Sequence, residues 1–265
     1  MELPKMRKPV ATNPHVMIIY SMPKAGKTTI CAQLPNSCVL ELEPGGADYV
    51  EGVIIDIDKS SKLDEAIKAI KDAGKPYDYI IVDTITKLDE WSEIVGTYNY
   101  MAKPQGKKFN RLLDSNGNVL KDAAGNPLTI YHTDKRFETV HEIGEGFGYQ
   151  HSRNQMVNWY DELSTLAPHV IFIAHIKDKM VTTKTGGTAE AIDLNLTGKV
   201  KFIYSTRVDA VAFFTRRGTT GTLSFGNEFN VISGGRCSHL NGDIVISEKQ
   251  EDGTIKTFWD RIFLK

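Results

Sequence analysis

The sequence predicts an α/β fold: a mostly parallel sheet flanked by helices, with a long inserted loop and a short β-rich C-terminal part. Three observations predict it. The apolar run Val16–Tyr20 leads into the loop Ser21-Met22-Pro23-Lys24-Ala25-Gly26-Lys27-Thr28-Thr29 and then into a helix-like segment ending at Leu34. Further apolar runs of strand length alternate with amphipathic segments. Three of those runs end on, or within two residues of, a side chain that can do chemistry: Glu43, Asp83 and His175.

Val16–Tyr20 reads as the first core strand, and Ser37–Leu42 as the second, ending at Glu43-Pro44-Gly45-Gly46. Val53–Ile57 is a third, short strand. Over Lys62–Asp72, Leu63, Ala66, Ile67 and Ile70 fall at helical spacing, and Gly74 and Pro76 stop the helix. Tyr79–Asp83 reads as a buried strand and Thr86–Val95 as a helix. The stretch from Gly96 to Gly148 carries turn signals at Asp114-Ser115-Asn116-Gly117-Asn118 and Ala124-Gly125-Asn126-Pro127. A gap this long inside a compact domain is either functional or partly disordered. It is no calcium loop, because Val119 and Gly125 stand where a Gly and a Glu are required. Ser152–Leu166 reads as a helix, Val170–His175 as a strand and Lys177–Gly198 as a second polar loop. Lys201–Tyr204, Val208–Thr215, Asn230–Ile232 and Asp243–Ser247 read as later strands, before an aromatic patch at Phe258-Trp259. One domain over 1–265 follows, with a core of about 15–217, an inserted loop at 96–150 and a β-rich tail at 218–265.

Composition narrows the classes. The 265 residues are 41% hydrophobic and 25% charged, enough to bury a sizeable core. A net charge of −1 gives no global field for nucleic acid, so such binding must come from local basic loops. Three cysteines, Cys31, Cys38 and Cys237, without a C-x-x-C pair, read as buried thiols of a reduced, cytoplasmic protein. Lys5, Arg7 and Lys8 precede no apolar h-region, and no run reaches membrane-span length, so neither a signal peptide nor a membrane partner is expected.

The loop carries the sharpest chemistry. A bound phosphate needs converging backbone N–H groups, the positive end of a helix dipole and a cation. Ser21, Pro23, Lys24, Ala25, Gly26, Lys27, Thr28 and Thr29 form the expected cradle. Gly26 lets the backbone approach, Lys27 can reach the β- and γ-phosphates, and Thr28 can ligate magnesium. Ser21 replaces the first Gly of G-x-x-x-x-G-K-[ST], and Met22 replaces the second Lys of partition-type ATPases.

Asp83 closes an apolar strand, where a magnesium-holding acid belongs, and Thr84 could add a hydroxyl to the metal's water shell. Hydrolysis needs a base that orients water in line with the γ-phosphate. That base could be Glu43 or a residue beside Asp83. Because Thr84, not Glu, follows Asp83, Glu43 is the better candidate, and Glu41 lies one pleat further back. His175 has two readings, a sensor near the γ-phosphate or a packed strand-end histidine. ATP and Mg2+ are the expected cofactors.

This order of parts resembles the RecA-type recombinase core, and most of all the compact phage-encoded RecA-like ATPases of the single-strand annealing group. The resemblance spans about 15–240 and rests on the phosphate loop, Glu43, Asp83 without a following Glu, and His175. It also rests on Pro76–Thr86, on Gly234-Gly235-Arg236-Cys237, and on Lys201–Asp209, which is similar to the strand after that family's second DNA loop. It implies that 96–150 and 177–198 are the two DNA loops. It also implies a filament or ring in which a neighbour completes each ATP site, with Arg207, Arg216 and Arg217 as contacts in trans and Phe202 at the interface. The family's long N-terminal and large C-terminal domains have no counterpart here, which puts full strand exchange in doubt. Among residues that can neutralise phosphates are Lys103, Lys107, Lys108, Arg111, Lys135 and Arg136, with Lys177, Lys179, Lys184 and Lys199 in the second loop. Tyr98, Tyr100 and Phe109 could stack on bases. The expected partners are single-stranded DNA, further copies of the chain and a single-strand DNA-binding protein. The competing readings are a loader or regulator of a replication or packaging machine, and a nucleotide-dependent binding switch.

Overall fold

The computed structural model describes residues 12–104, 114–125, 139–142, 148–182, 188–226 and 231–265, with backbone alone for 178–182 and 188–191. The expected fold class holds. Strands β1 (Val16–Ser21), β2 (Ser37–Glu41), β3 (Val53–Asp56) and β4 (Tyr79–Asp83) are joined by helices α1 (Lys27–Cys31), between β1 and β2, and α2 (Ser60–Asp72), between β3 and β4. Helices α3 (Ile85–Ala102) and α4 (Tyr149–Leu163) precede strands β5 (His169–Thr182) and β6 (Thr188–Leu194). After helix α5 (Val200–Arg207) come β7 (Ala210–Arg217), β8 (Thr220–Ser224), β9 (Gly234–Gly235), β10 (Asp243–Lys249) and β11 (Ile255–Thr257).

Strands β3-β2-β4-β5-β1-β7 are parallel throughout. The β-rich tail continues the same sheet as antiparallel β8, β10 and β11. Alternation along the buried strands sends side chains to two faces. Val16, Ile18, Tyr20, Ile80, Val82, Val170 and Phe172 meet α2, α3, α4 and α5 through Leu63, Trp91, Met156 and Tyr204. Met17, Ile19, Ile81, Ile171 and Ile173 meet the other layer, made by Ile30 and Leu34 of the α1 region and by Trp259, Ile262 and Phe263 of the tail. The Trp259 indole N–H donates to the Ile30 carbonyl at 2.8 Å, fastening the tail to the helix that follows the phosphate loop.

Three expected elements differ. Residues 201–204 are not a strand but lie in α5. Their apolar run is short, and what decides is spacing: Val200 and Tyr204, four apart, are buried while Phe202 between them is 56% exposed, a helical stripe. The Tyr204 hydroxyl donates to the Met156 carbonyl at 2.9 Å and its ring meets Tyr160 edge-on, which settles the helix against α4. The polar stretch 177–198 is largely the β5–β6 hairpin, with Ile176 opposite Leu194 and Thr182 opposite Thr188. Helix α3 runs on to Ala102, past the expected start of the long loop, because Tyr100 is buried on its inner face. Of the expected strand at 230–232, Asn230 lies outside the described residues, and Val231 forms an isolated bridge to Ile192.

Candidate nucleotide site

The carboxyl ends of β2, β4, β5 and β1 lie side by side, where ligands bind in open α/β sheets. Register puts Glu41 level with Asp83, Asp83 with Ile173, and His175 with Ser21. Asp83 shares a strand face with Ile81, and His175 one with Ile171 and Ile173, which is the face covered by α1. Pleating therefore aims both at the helix that carries Thr28.

Gly26 opens α1 with φ 102°, in the left-handed region, and Lys24 precedes it at φ 61°. This backward turn gathers backbone N–H groups toward one point. Lys27 is buried, and its ammonium donates to Ser21 Oγ at 3.0 Å and to the Met22 carbonyl at 3.0 Å. Burial pulls its pKa below the usual lysine value, while Asp83, Cys31 and Glu43 oppose the shift. Thr28 Oγ1 donates to Asp83 Oδ2. Burial raises the Asp83 pKa, and the Thr28 hydrogen bond and the Lys27 charge hold it back.

Thr28 and Asp83 present oxygen donors only, side by side at the cleft floor. Among the described residues there is no cluster of three or more His, Cys, Asp or Glu able to cage an ion. That pair fits Mg2+, which takes one or two protein oxygens and completes its shell with water and phosphate.

Glu43 lies two residues past β2. Its Oε1 accepts from Thr84 Oγ1 at 2.8 Å, and His175 Nε2 lies 3.2 Å from its Oε2. The His175 hydrogen bond holds the Glu43 carboxyl below the usual range, with burial acting against it. His175 Nδ1 is buried with no partner among the described residues, which matches an imidazole carrying its proton on Nε2. Thr84 caps α3 by accepting from Lys87 N–H at 3.1 Å. Its proton goes to Glu43, so the same hydroxyl fixes the position of that carboxylate. Glu41 is buried, and its Oε1 accepts from Ala47 N–H at 2.7 Å, fastening the Glu43–Gly46 turn. Nothing in the order of residues signals that role, which needs the turn to fold back on its own strand.

Pro23, Lys24, Gly26, Lys27, Thr28, Thr29, Glu43, Asp83 and His175 all line one cleft of about 650 Å³. Ser21 lies buried beneath it under Lys27, and Ala25 packs on the α1 side. These are the features that a phosphate-binding cleft requires. A family model described as AAA domain matches residues 13–237.

The chain belongs to the AAA domain family.

Comparison with curated proteins returns no match. A solved structure titled as the RadB recombinase is similar over 93% of this chain and 92% of that one, at 10% identity and a TM-score of 0.43. Membership of the AAA domain family makes nucleotide the expected occupant of the cleft, typically with Mg2+.

The other predicted residues are scattered. Lys107, Lys108, Arg111 and Lys184 lie outside the described residues, as do Phe109, Lys135 and Arg136. Lys177 is exposed on β5, and Lys179 follows it on the same strand. Phe202 is exposed on α5. Arg207 pairs with Asp161 at 2.6 Å and lies over the Tyr160 ring at 4.5 Å, so its guanidinium is engaged within the chain. Arg217 is exposed at the end of β7.

A second cavity, of about 350 Å³, was not anticipated. It lies between the start of α4 and the start of α5, lined by His141, Tyr149, Ser152, Arg153, Gly198 and Lys199 among others. The His141 ring stacks on Tyr149 at 4.2 Å, and His141 Nε2 lies 2.8 Å from Ser152 Oγ. Neither Arg153 nor Lys199 has an ion-pair partner among the described residues. A sequence signal existed in Gly198-Lys199 just before α5, but nothing in the order of residues brings α4 beside it.

Proposed function

We propose that this protein is a Mg2+-dependent ATPase that acts on single-stranded DNA, in annealing or homologous recombination, as an oligomer of filament or ring type. The observation that carries the reading is a connection between two cavities. His175, on Glu43 in the cleft, accepts at its backbone carbonyl from Asn195 N–H at 3.0 Å. Two residues on, Thr197 N–H donates to Asp89 Oδ2 at 2.6 Å, and Thr197, Gly198 and Lys199 then line the second cavity. That cavity offers two cations without ion-pair partners among the described residues for phosphates and the Tyr149 ring for a base, the chemistry a single strand requires. A shift of His175 with nucleotide state would pass directly into it.

In the cleft, Mg2+ held by Thr28 and Asp83 would neutralise charge on the β- and γ-phosphate oxygens. The Glu43 carboxylate accepts the proton of the attacking water as its oxygen bonds to the γ-phosphorus. Thr84 and His175 hold that carboxylate in place, and the Lys27 ammonium stabilises the charge that builds on the departing diphosphate. The residues of 1–265 serve as one ATPase unit in this reading, in the cytoplasm, with a single-strand DNA-binding protein as a partner.

ATP hydrolysis with and without single-stranded DNA, across salt, on wild type and Lys27→Ala, tests it. Stimulation that fades with salt and is lost in Lys27→Ala supports it. Hydrolysis indifferent to DNA overturns it in favour of a loader or regulator.

A further inference from the structure

Arg216 stands on the flank of the phosphate loop away from Glu43. Strand β7 pairs with β1 on the side opposite β5, with Phe213 level with Tyr20. Arg216 is three residues past that pair, at the carboxyl edge of the sheet. Ala210, Ala212 and Phe214 belong to the cluster on the α1 face, and alternation puts Arg216 on that same face. A Cβ built on Gly26 would lie 4.0 Å from Arg216 Nη1, so the guanidinium reaches the turn that opens α1.

Its neighbours in type are engaged elsewhere. Arg207 holds Asp161, Arg236 holds the Thr206 carbonyl and Asp209, and Arg261 holds the Val245 carbonyl. Arg216 is exposed and has no hydrogen bond or ion pair among the described residues. A planar cation without a partner among the described residues, within reach of Gly26 of the cleft lining, can meet an anion there from the β7 side.

We propose that Arg216 contacts the polyphosphate of a nucleoside di- or triphosphate bound in the cleft of its own chain. The contact is made in cis, where the family resemblance implied a contact from a neighbour. The proposal rests on the nucleotide reading above, and its test separates the two.

Fluorescent ADP and a non-hydrolysable ATP analogue are titrated onto wild type, Arg216→Ala, Arg216→Lys and Lys27→Ala, with a thermal melt of each free protein. Loss of one charge-assisted contact predicts affinity weaker by about 10- to 100-fold in Arg216→Ala, with an unchanged melt and partial recovery in Arg216→Lys. At an ATP concentration well below the Arg216→Ala dissociation constant, where each variant alone hydrolyses little, mixing Arg216→Ala with Lys27→Ala restores no hydrolysis, since no cleft then holds both groups. Wild-type affinity in Arg216→Ala, with binding lost in Lys27→Ala, overturns the proposal and leaves the nucleotide reading standing. Hydrolysis restored on mixing overturns it in favour of a contact in trans. Unchanged binding in Lys27→Ala removes the nucleotide reading, and the proposal with it.

Discussion

Replacing Glu43 with Gln removes the charge of the candidate base and almost nothing else. The glutamine oxygen can still accept from the Thr84 hydroxyl, which lies 2.8 Å from Oε1. Its amide would face His175 Nε2, now 3.2 Å from Oε2. The imidazole can meet it by moving its proton to Nδ1, the nitrogen that has no partner among the described residues. The cost to folding should therefore stay within about 1 kcal/mol, the scale of one neutral hydrogen bond. A positioned general base contributes about 10²- to 10⁴-fold to rate, or about 2.7–5.4 kcal/mol at 1.36 kcal/mol per decade. Single-turnover release of phosphate should fall by that factor, while nucleotide affinity and the melting midpoint hold. A rate within about threefold of wild type would refute the assignment of the base. Affinity and rate falling together would mean that Glu43 shapes the cleft instead.

Other consequences follow from the same contacts. His175→Ala removes the largest influence holding the Glu43 carboxyl low. The base must be ionised to act, so the acid limb of the pH–rate profile should move to higher pH, and an unmoved limb would count against the coupling. Asp83 has the opposite sign. Its pKa is raised by burial, so it stabilises the free protein below its unfolded pKa and loses that contribution as pH rises through the folded one. Asp83→Asn should therefore raise the ligand-free melting midpoint at neutral pH more than at pH about 4 while abolishing Mg2+-dependent nucleotide binding. A lower midpoint at neutral pH would contradict this. Trp259→Phe deletes the donor to the Ile30 carbonyl and should cost about 1–3 kcal/mol in urea unfolding, and undiminished stability would mean the tail is held by packing alone.

Much of this was legible in the sequence because it is local. The phosphate loop is contiguous, and Asp83, Glu43 and His175 announce themselves as polar groups ending apolar runs. What was hidden depends on contacts between distant segments. Residues 201–204 read as a strand because Phe, Ile and Tyr favour one, but burial of Val200 and Tyr204 against α4 selects the helix. The 177–198 stretch carries Gly186-Gly187, itself a hairpin signal, yet its polar composition suggests a loop. Glu41 looked one pleat too far back to matter, and only the return of the chain to Ala47 gives it work. The second cavity needs His141, the start of α4 and the turn before α5 together, which no spacing along the chain encodes.

The ordering of strands also sets how the site can tolerate change. Asp83, His175 and Ser21 belong to the adjacent strands β4, β5 and β1, and Glu43 follows the end of β2 beside them, so their lateral spacing is set by a sheet whose strands sit about 4.8 Å apart. Insertions in the connections on the far edge of the sheet should leave that spacing untouched. A single residue inserted within β2 or β4 would not be absorbed in the same way. It would turn Asp83 to the opposite face, away from Thr28, or carry Glu43 off Thr84 and His175. The protein should thus be permissive to length variation around 114–125 and intolerant of it by even one residue inside 37–41 or 79–83, a frame written into the backbone pairing rather than into any one side chain.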